Sequence, residues 1–253
     1  MQFHETLRSG RHLAGTFIKT PHHAVVEVLG QSGLDFLILD SEHAMFGWAD
    51  IDRAVLAARH AGMPCLVRLA DDRPADMLRV LDCGADGFLV PHVTCAAQAE
   101  AIARAAHYGA RGRGYAATTR AGEFGARSMA EHLAASAAPV VIAQIEDPEG
   151  VENAAAIAAV SGLSAIFLGP ADLAVAYGET STQAPRVQAA MAHVTKAARA
   201  AGLPAATFAA DMAGALALFR SGFTMAAIAS EQKAMLEYFS PEAVRRAKPG
   251  GAA

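Results

Sequence analysis

The chain has 253 residues, of which 53% are hydrophobic and 18% charged, and its net charge is −4 at neutral pH. That composition supports a sizeable core and excludes a disordered chain. The scattered arginines leave no basic face for nucleic acid, and no apolar run reaches the roughly 18 residues of a membrane span.

The opening residues, MQFHETLRSGRH, lack the apolar centre of a signal peptide. A first strand is predicted over LAGTFI (13–18), with His22 and His23 opening the next helix. The second, LDFLILD (34–40), ends abruptly in Asp40, Ser41, Glu42 and His43. After the helical ADIDRAVLAARHAG comes PCLVRL (64–69), an apolar strand interrupted by Arg68. The helical PADMLRVLDCG carries Asp82 and leads to DGFLVP (86–91), which delivers His92. A helix over CAAQAEAIARAAHYG and a glycine-rich loop, GARGRGYAATTRAGEFG (109–125), separate it from PVVIAQIE (139–146). Next come LSAIFLG (163–169), running into PADL, and LPAATF (203–208). The helical DMAGALALFRSG and the strand TMAAIAS (224–230) complete the series.

Most of these strands are continuously apolar, as parallel strands buried on both faces are. Glycines at 33, 62, 84, 162, 202 and 222 close the intervening helices. Eight strands alternating with helices predict an α/β fold, a (β/α)8 TIM barrel, as a single domain over 1–253 with a tail frayed from about 247. A doubly wound sheet is the competing architecture, but no G-x-G-x-x-G follows the first strand. Cys65, Cys83 and Cys95 have no metal-ligand spacing and read as reduced, packed thiols in the cytoplasm.

In such a barrel the chemistry sits at the C-terminal ends of the strands. Asp40, Glu42, His43, Arg68, His92, Gln144, Glu146, Asp172, Thr207, Phe208, Ser230 and Glu231 all fall there. Arg68 inside an apolar strand calls for an anion. Glu146 and Asp172, on adjacent strand ends, suit one hard divalent cation. Blander readings stand beside these. Asp172 also fits a helix cap, Glu146 a solvated strand end, Arg68 a structural pair with Asp40, His43 a loop histidine, and His92 a packing or loop contact. His22 and His23 fit either the mouth or a helix start, and His4, His12, His60, His107, His132 and His193 fit helix or surface positions. Lys19 is the lysine nearest a strand end and the single Schiff-base candidate.

LDFLILDSEHA, VRL, LDCGADGFLVPHV, RGRG, QIEDPEGVEN and IFLGPADLA resemble the HpcH/HpaI aldolase/citrate lyase family, from about Gly15 to Phe239. The closer likeness is to its class II pyruvate aldolases, of the 4-hydroxy-2-oxoheptanedioate and 2-keto-3-deoxy-sugar-acid types. The resemblance implies a barrel whose C-terminal helix is exchanged between subunits, usually in a hexamer, and a divalent metal, Mg²⁺, Mn²⁺ or Co²⁺. It implies metal ligation by Glu146 and Asp172, with Gln144 holding water or substrate. His43 would be the acid/base residue, oriented by Asp82, and Arg68 would stabilise an enolate. Gly169, Pro170 and Ala171 would border the substrate, backbone amides around Gly169, Ala171 and Asp172 holding its carboxylate. Asp40 and Glu42 would support the site. Phe208, Thr207, His22 and the loop from Tyr115 to Phe124 would select the aldehyde. The resemblance departs near strand eight, where the family commonly shows a glycine and an aspartate, as in V-G-x-D, and this chain has IASE with Ser230 and Glu231.

The implied reaction joins or cleaves a 2-keto acid, pyruvate or hydroxypyruvate, and an aldehyde through a metal-stabilised enolate. Alternatives within the family are acyl-CoA lyases of the citramalyl or malyl type and oxaloacetate decarboxylases. Outside it stands a non-catalytic binding barrel.

Overall fold

A computed structural model describes residues 3–248. The strands are β1 (Leu13–Ile18), β2 (Phe36–Asp40), β3 (Cys65–Arg68), β4 (Gly87–Val90), β5 (Val140–Ile145), β6 (Ala165–Leu168), β7 (Ala205–Ala209) and β8 (Met225–Ser230). All pair in parallel with their sequence neighbours, and β8 closes on β1, giving a (β/α)8 barrel. Each lies within, or a residue beyond, its predicted run. Of the tail expected to fray, residues 249–253 lie outside the described residues. None of the described helices is long and apolar enough to cross a membrane.

Alternation along each strand divides the core in two. Leu37 and Leu39, Val67, Val141 and Ala143 point outward to the helices. Phe36 and Ile38, Leu66, Val140 and Ile142, Ala165 and Phe167 fill the barrel interior. The period of two carries on to the strand ends. Asp40 continues the inward series 36, 38; Arg68 continues 66; Gln144 continues 140, 142. The alternation that packs the floor therefore also aims these polar side chains into the mouth. Below, the short helix Phe3–Arg8, which the sequence pattern does not announce, plugs the barrel with Phe3 and Leu7.

The long loop stands between β4 and β5 as expected, followed by the helix Met129–Ala135. It is anchored rather than loose. Arg113 is buried with its guanidinium 4.0 Å from the Tyr108 ring centroid. His132, on that helix, is also fully buried, its Nε2 3.2 Å from the Tyr108 hydroxyl. Gly62 and Gly222 close their helices in the left-handed conformation, at φ 67° and 107°. The helix after β1 instead ends at Gly30, before Gly33.

Gly87 exists for space. A Cβ there would overlap the Val140 carbonyl of the neighbouring strand. Gly87→Ala is expected to force β4 and β5 apart and cost about 1–3 kcal/mol, read as a lowered urea midpoint.

Candidate active site

Asp40 is wholly buried at the end of β2, and the strand register sets it directly beside Arg68. Arg68 donates from Nε to Asp40 Oδ1 at 3.0 Å and from Nη2 to Oδ2 at 2.8 Å. This two-pronged geometry is what a planar guanidinium offers a carboxylate. The His43 amide donates to Asp40 Oδ1 at 3.1 Å, and Lys19 Nζ lies 2.8 Å from Oδ2. These partners outweigh burial and hold the Asp40 carboxyl down at about 2. Arg68 Nη1 stands 3.2 Å from Glu42 Oε2, and the guanidinium lies 4.7 Å from the Phe17 ring centroid. Arg68 is thus both the structural partner of Asp40 and a group lining the mouth.

Glu146, one residue beyond β5, is buried rather than solvated. It accepts from the His92 amide at 3.0 Å through Oε1 and from Gln144 Nε2 through Oε2. Burial pushes its carboxyl above the ordinary range, with Asp172 adding repulsion. Burial raises Glu42 likewise, and Asp40 and Asp172 add to the effect. Gly169 is required here because a Cβ would run into Glu146 Oε2 and stand 3.2 Å from Gln144 Nε2. Asp172 sits in the first turn of the helix Pro170–Ala176 without capping it.

A cavity of about 260 Å³ opens over this floor. His43, Arg68, Gln144, Gly169, Pro170, Ala171, Asp172 and Phe208 line it, with Phe17, Lys19, Phe167, Ala229, Ser230 and Lys233. A larger cavity, about 500 Å³, lies at the strand N-terminal end among Arg59, Asp86 and Arg113 and holds none of the expected site residues.

The donor set fits a hard divalent cation. Asp172 repels both Glu42 and Glu146 across one mouth, and Gln144 Oε1 is buried without a hydrogen-bond partner. His92, read from the sequence as a packing or loop contact, stands among these carboxylates. It adopts φ 53°, the left-handed region. Its Nδ1 lies 2.9 Å from Asp147 Oδ2, and its Nε2 lies 3.9 Å from Glu42 Oε1. Glu42, His92 and Glu146 each offer a ligand atom within 4.8 Å of the others.

Several expectations need correction. Asp82 does not meet His43 within the chain: it ends the helix Pro74–Asp82, which runs back from the mouth, and its charged neighbours are Arg113 and His132. The Gly169 amide is already spent on the Ile145 carbonyl at 3.1 Å, and Pro170 has no N–H. Only the first-turn amides of Ala171 and Asp172 remain for a carboxylate. His22 caps its own helix by accepting from the Ala24 amide, with its ring stacked on His23 4.5 Å away. Glu231 does not enter the cavity but accepts from the amides that follow β1, at Lys19 and Thr20, whereas Ser230 lines it. Ala229 holds φ 52°, so this chain keeps a glycine-like backbone with an alanine, at a cost of about 1 kcal/mol.

A barrel with an arginine, a histidine and a carboxylate cluster at its strand C-terminal ends is an enzyme's architecture. The family model of the HpcH/HpaI aldolase/citrate lyase family matches residues 13–237. A 5-keto-4-deoxy-D-glucarate aldolase of Escherichia coli O139:H28 is 35% identical over 208 residues, 81% of this chain and 80% of that one. The crystal structure of an HpcH/HpaI aldolase from Desulfitobacterium hafniense DCB-2 superposes with a TM-score of 0.91 at 30% identity, covering 100% of both chains. A family member from Burkholderia cenocepacia J2315 gives 0.90 at 30% identity, over 97% of this chain and 96% of that one. The chain belongs to the HpcH/HpaI aldolase/citrate lyase family and is a carbon–carbon lyase.

Because its folded value is depressed, the Asp40 carboxylate contributes stability that is present above its ordinary value of 3.8 and lost as pH falls through about 2. Asp40→Asn is expected to cost about 3–5 kcal/mol at neutral pH, since the buried Arg68 loses its two-pronged carboxylate partner and keeps only Glu42. Urea titrations at descending pH should show the gap to the parent narrowing by about 2 kcal/mol below pH 4.

Proposed function

We propose that the chain is a class II aldolase, dependent on a divalent metal, that cleaves or forms 4-hydroxy-2-keto acids with pyruvate or hydroxypyruvate as the donor half. The reading is carried by one juxtaposition: Gln144 and Asp172 share a single cavity with Arg68 and His43, and Glu146 flanks it through its bond with Gln144. Glu146 and Asp172 would hold the metal, Mg²⁺, Mn²⁺ or Co²⁺, whose charge when bound lowers the cost of making an enolate. The amides of Ala171 and Asp172 would receive the donor carboxylate.

Arg68 presents a fixed positive charge where the keto oxygen becomes an enolate oxygen. Its orientation is set beforehand by Asp40, so little reorganisation is needed as charge develops. In the cleavage direction His43, half-exposed at the rim, takes the proton of the 4-hydroxyl. The bond between carbons 3 and 4 breaks, the aldehyde leaves, and the electron pair passes into the enolate. Protonation at carbon 3 then yields the 2-keto acid. Oxaloacetate decarboxylation would pass through the same enolate and is expected as a side activity. Phe208, 37% exposed, borders the acceptor side.

The 5-keto-4-deoxy-D-glucarate named for the relative supports a sugar-acid-like substrate of this keto-acid class. Exposed Leu236, Tyr238 and Phe239 near the C-terminus support a homo-oligomer, such as a hexamer with that helical segment exchanged. An orienting role for Asp82 would then require the His43 of a neighbouring copy.

The test monitors pyruvate release from a 4-hydroxy-2-keto acid. Turnover should stop on EDTA treatment and return with Mg²⁺, Mn²⁺ or Co²⁺. Glu146→Ala and Asp172→Ala should lose metal binding and turnover together, and Arg68→Ala should lower kcat by about 10²–10³-fold. Full metal-dependent activity in Glu146→Ala would refute the assignment.

A further inference from the structure

We infer that Lys19 is a positioning residue of the donor site, whose ammonium balances Asp40 and so leaves Arg68 a positive charge to offer an anionic 2-keto acid. The inference rests on the aldolase reading and adds a group to it.

The balance of charge in the mouth requires such a group. Arg68 spends Nε and Nη2 on Asp40 and turns Nη1 toward Glu42, 3.2 Å away. Counted as ionised, those two carboxylates outnumber the one guanidinium, beside a wall that already carries Glu146 and Asp172. A keto-acid carboxylate, and still more an enolate, would enter against that excess. Lys19 removes it. Its Nζ is 2.8 Å from Asp40 Oδ2, the oxygen that also accepts from Arg68 Nη2.

The lysine is itself held in place. Glu231, buried at the start of the helix Glu231–Tyr238, accepts from the Lys19 amide at 3.0 Å through each oxygen and from the Thr20 amide at 2.6 Å. A continuous line of polar contacts thus runs from the end of β8 across β1 and β2 to Arg68 on β3. It crosses the seam where β1 and β8 slip register between Gly15 and Phe17. The same contacts argue against a nucleophilic amine, because Lys19 Nζ is engaged by the buried Asp40 carboxylate, 2.8 Å away.

The test uses the full-length Mg²⁺-loaded enzyme and reads only the donor half. Solvent deuterium exchange into the pyruvate methyl group reports enolate formation, and inhibition by oxalate reports affinity for an enolate-like dianion. Lys19→Met is expected to raise both the pyruvate KM and the oxalate inhibition constant by about tenfold, while Lys19→Arg stays within about threefold of the parent. If Lys19→Met fails to fold, Glu231→Gln, which weakens the anchor without removing the amine, should shift both constants in the same direction by about threefold. Unchanged constants in Lys19→Met would overturn the inference alone. So would Lys19→Arg behaving like Lys19→Met, or borohydride in the presence of pyruvate trapping a covalent adduct on Lys19. If the parent enzyme shows no metal-dependent exchange, the aldolase reading falls and this inference with it.

Discussion

The site is organised around one buried ion pair, Asp40 with Arg68. Two charges in a barrel interior are expensive, and such a pair contributes little net stability when its desolvation is counted. What it provides is direction. The pair arises because β2 and β3 are parallel neighbours in a register that sets residue 40 against residue 68. Once formed, it fixes the guanidinium over the Phe17 ring, draws the His43 amide inward, and gives Lys19 a partner. Arg68 therefore inherits its position from strand register rather than from a loop, the arrangement that preorganised electrostatic catalysis requires.

The carboxylates on the other side of the mouth answer to a different constraint. Glu146 is buried beside Gln144, under a glycine that leaves it room, and its charge is opposed by Asp172. Carboxylates held together with raised proton affinity are costly unless a cation joins them. His92 adds to this concentration. Its left-handed backbone turns its amide onto Glu146 while its ring reaches Asp147.

The strands were legible because apolar runs bounded by glycine and proline are the dominant signal in a barrel core, and their C-terminal ends then located Asp40, Arg68 and Gln144 at the mouth. Residues beyond the last strand position were harder. Gly169 reads as a carboxylate-binding amide until its bond to the Ile145 carbonyl is seen, because backbone partners across strands leave no trace in composition. Glu231 reads as a pocket residue, yet it faces the β1 backbone through a register slip that no local pattern encodes. Asp82 follows its helix to the far end of the barrel, a matter of topology rather than residue type. The plugging helix Phe3–Arg8 is too short for periodicity to reveal.

The central claim is that Glu146 and Asp172 form a metal centre opposite Arg68. Anomalous diffraction from crystals grown with Mn²⁺ and oxalate tests it most directly. The expected result is one Mn²⁺ ligated by Glu146 and Asp172, with oxalate facing Arg68. Mn²⁺ held by Glu42, His92 and Glu146 without Asp172, or no ordered Mn²⁺ at the mouth, would contradict it.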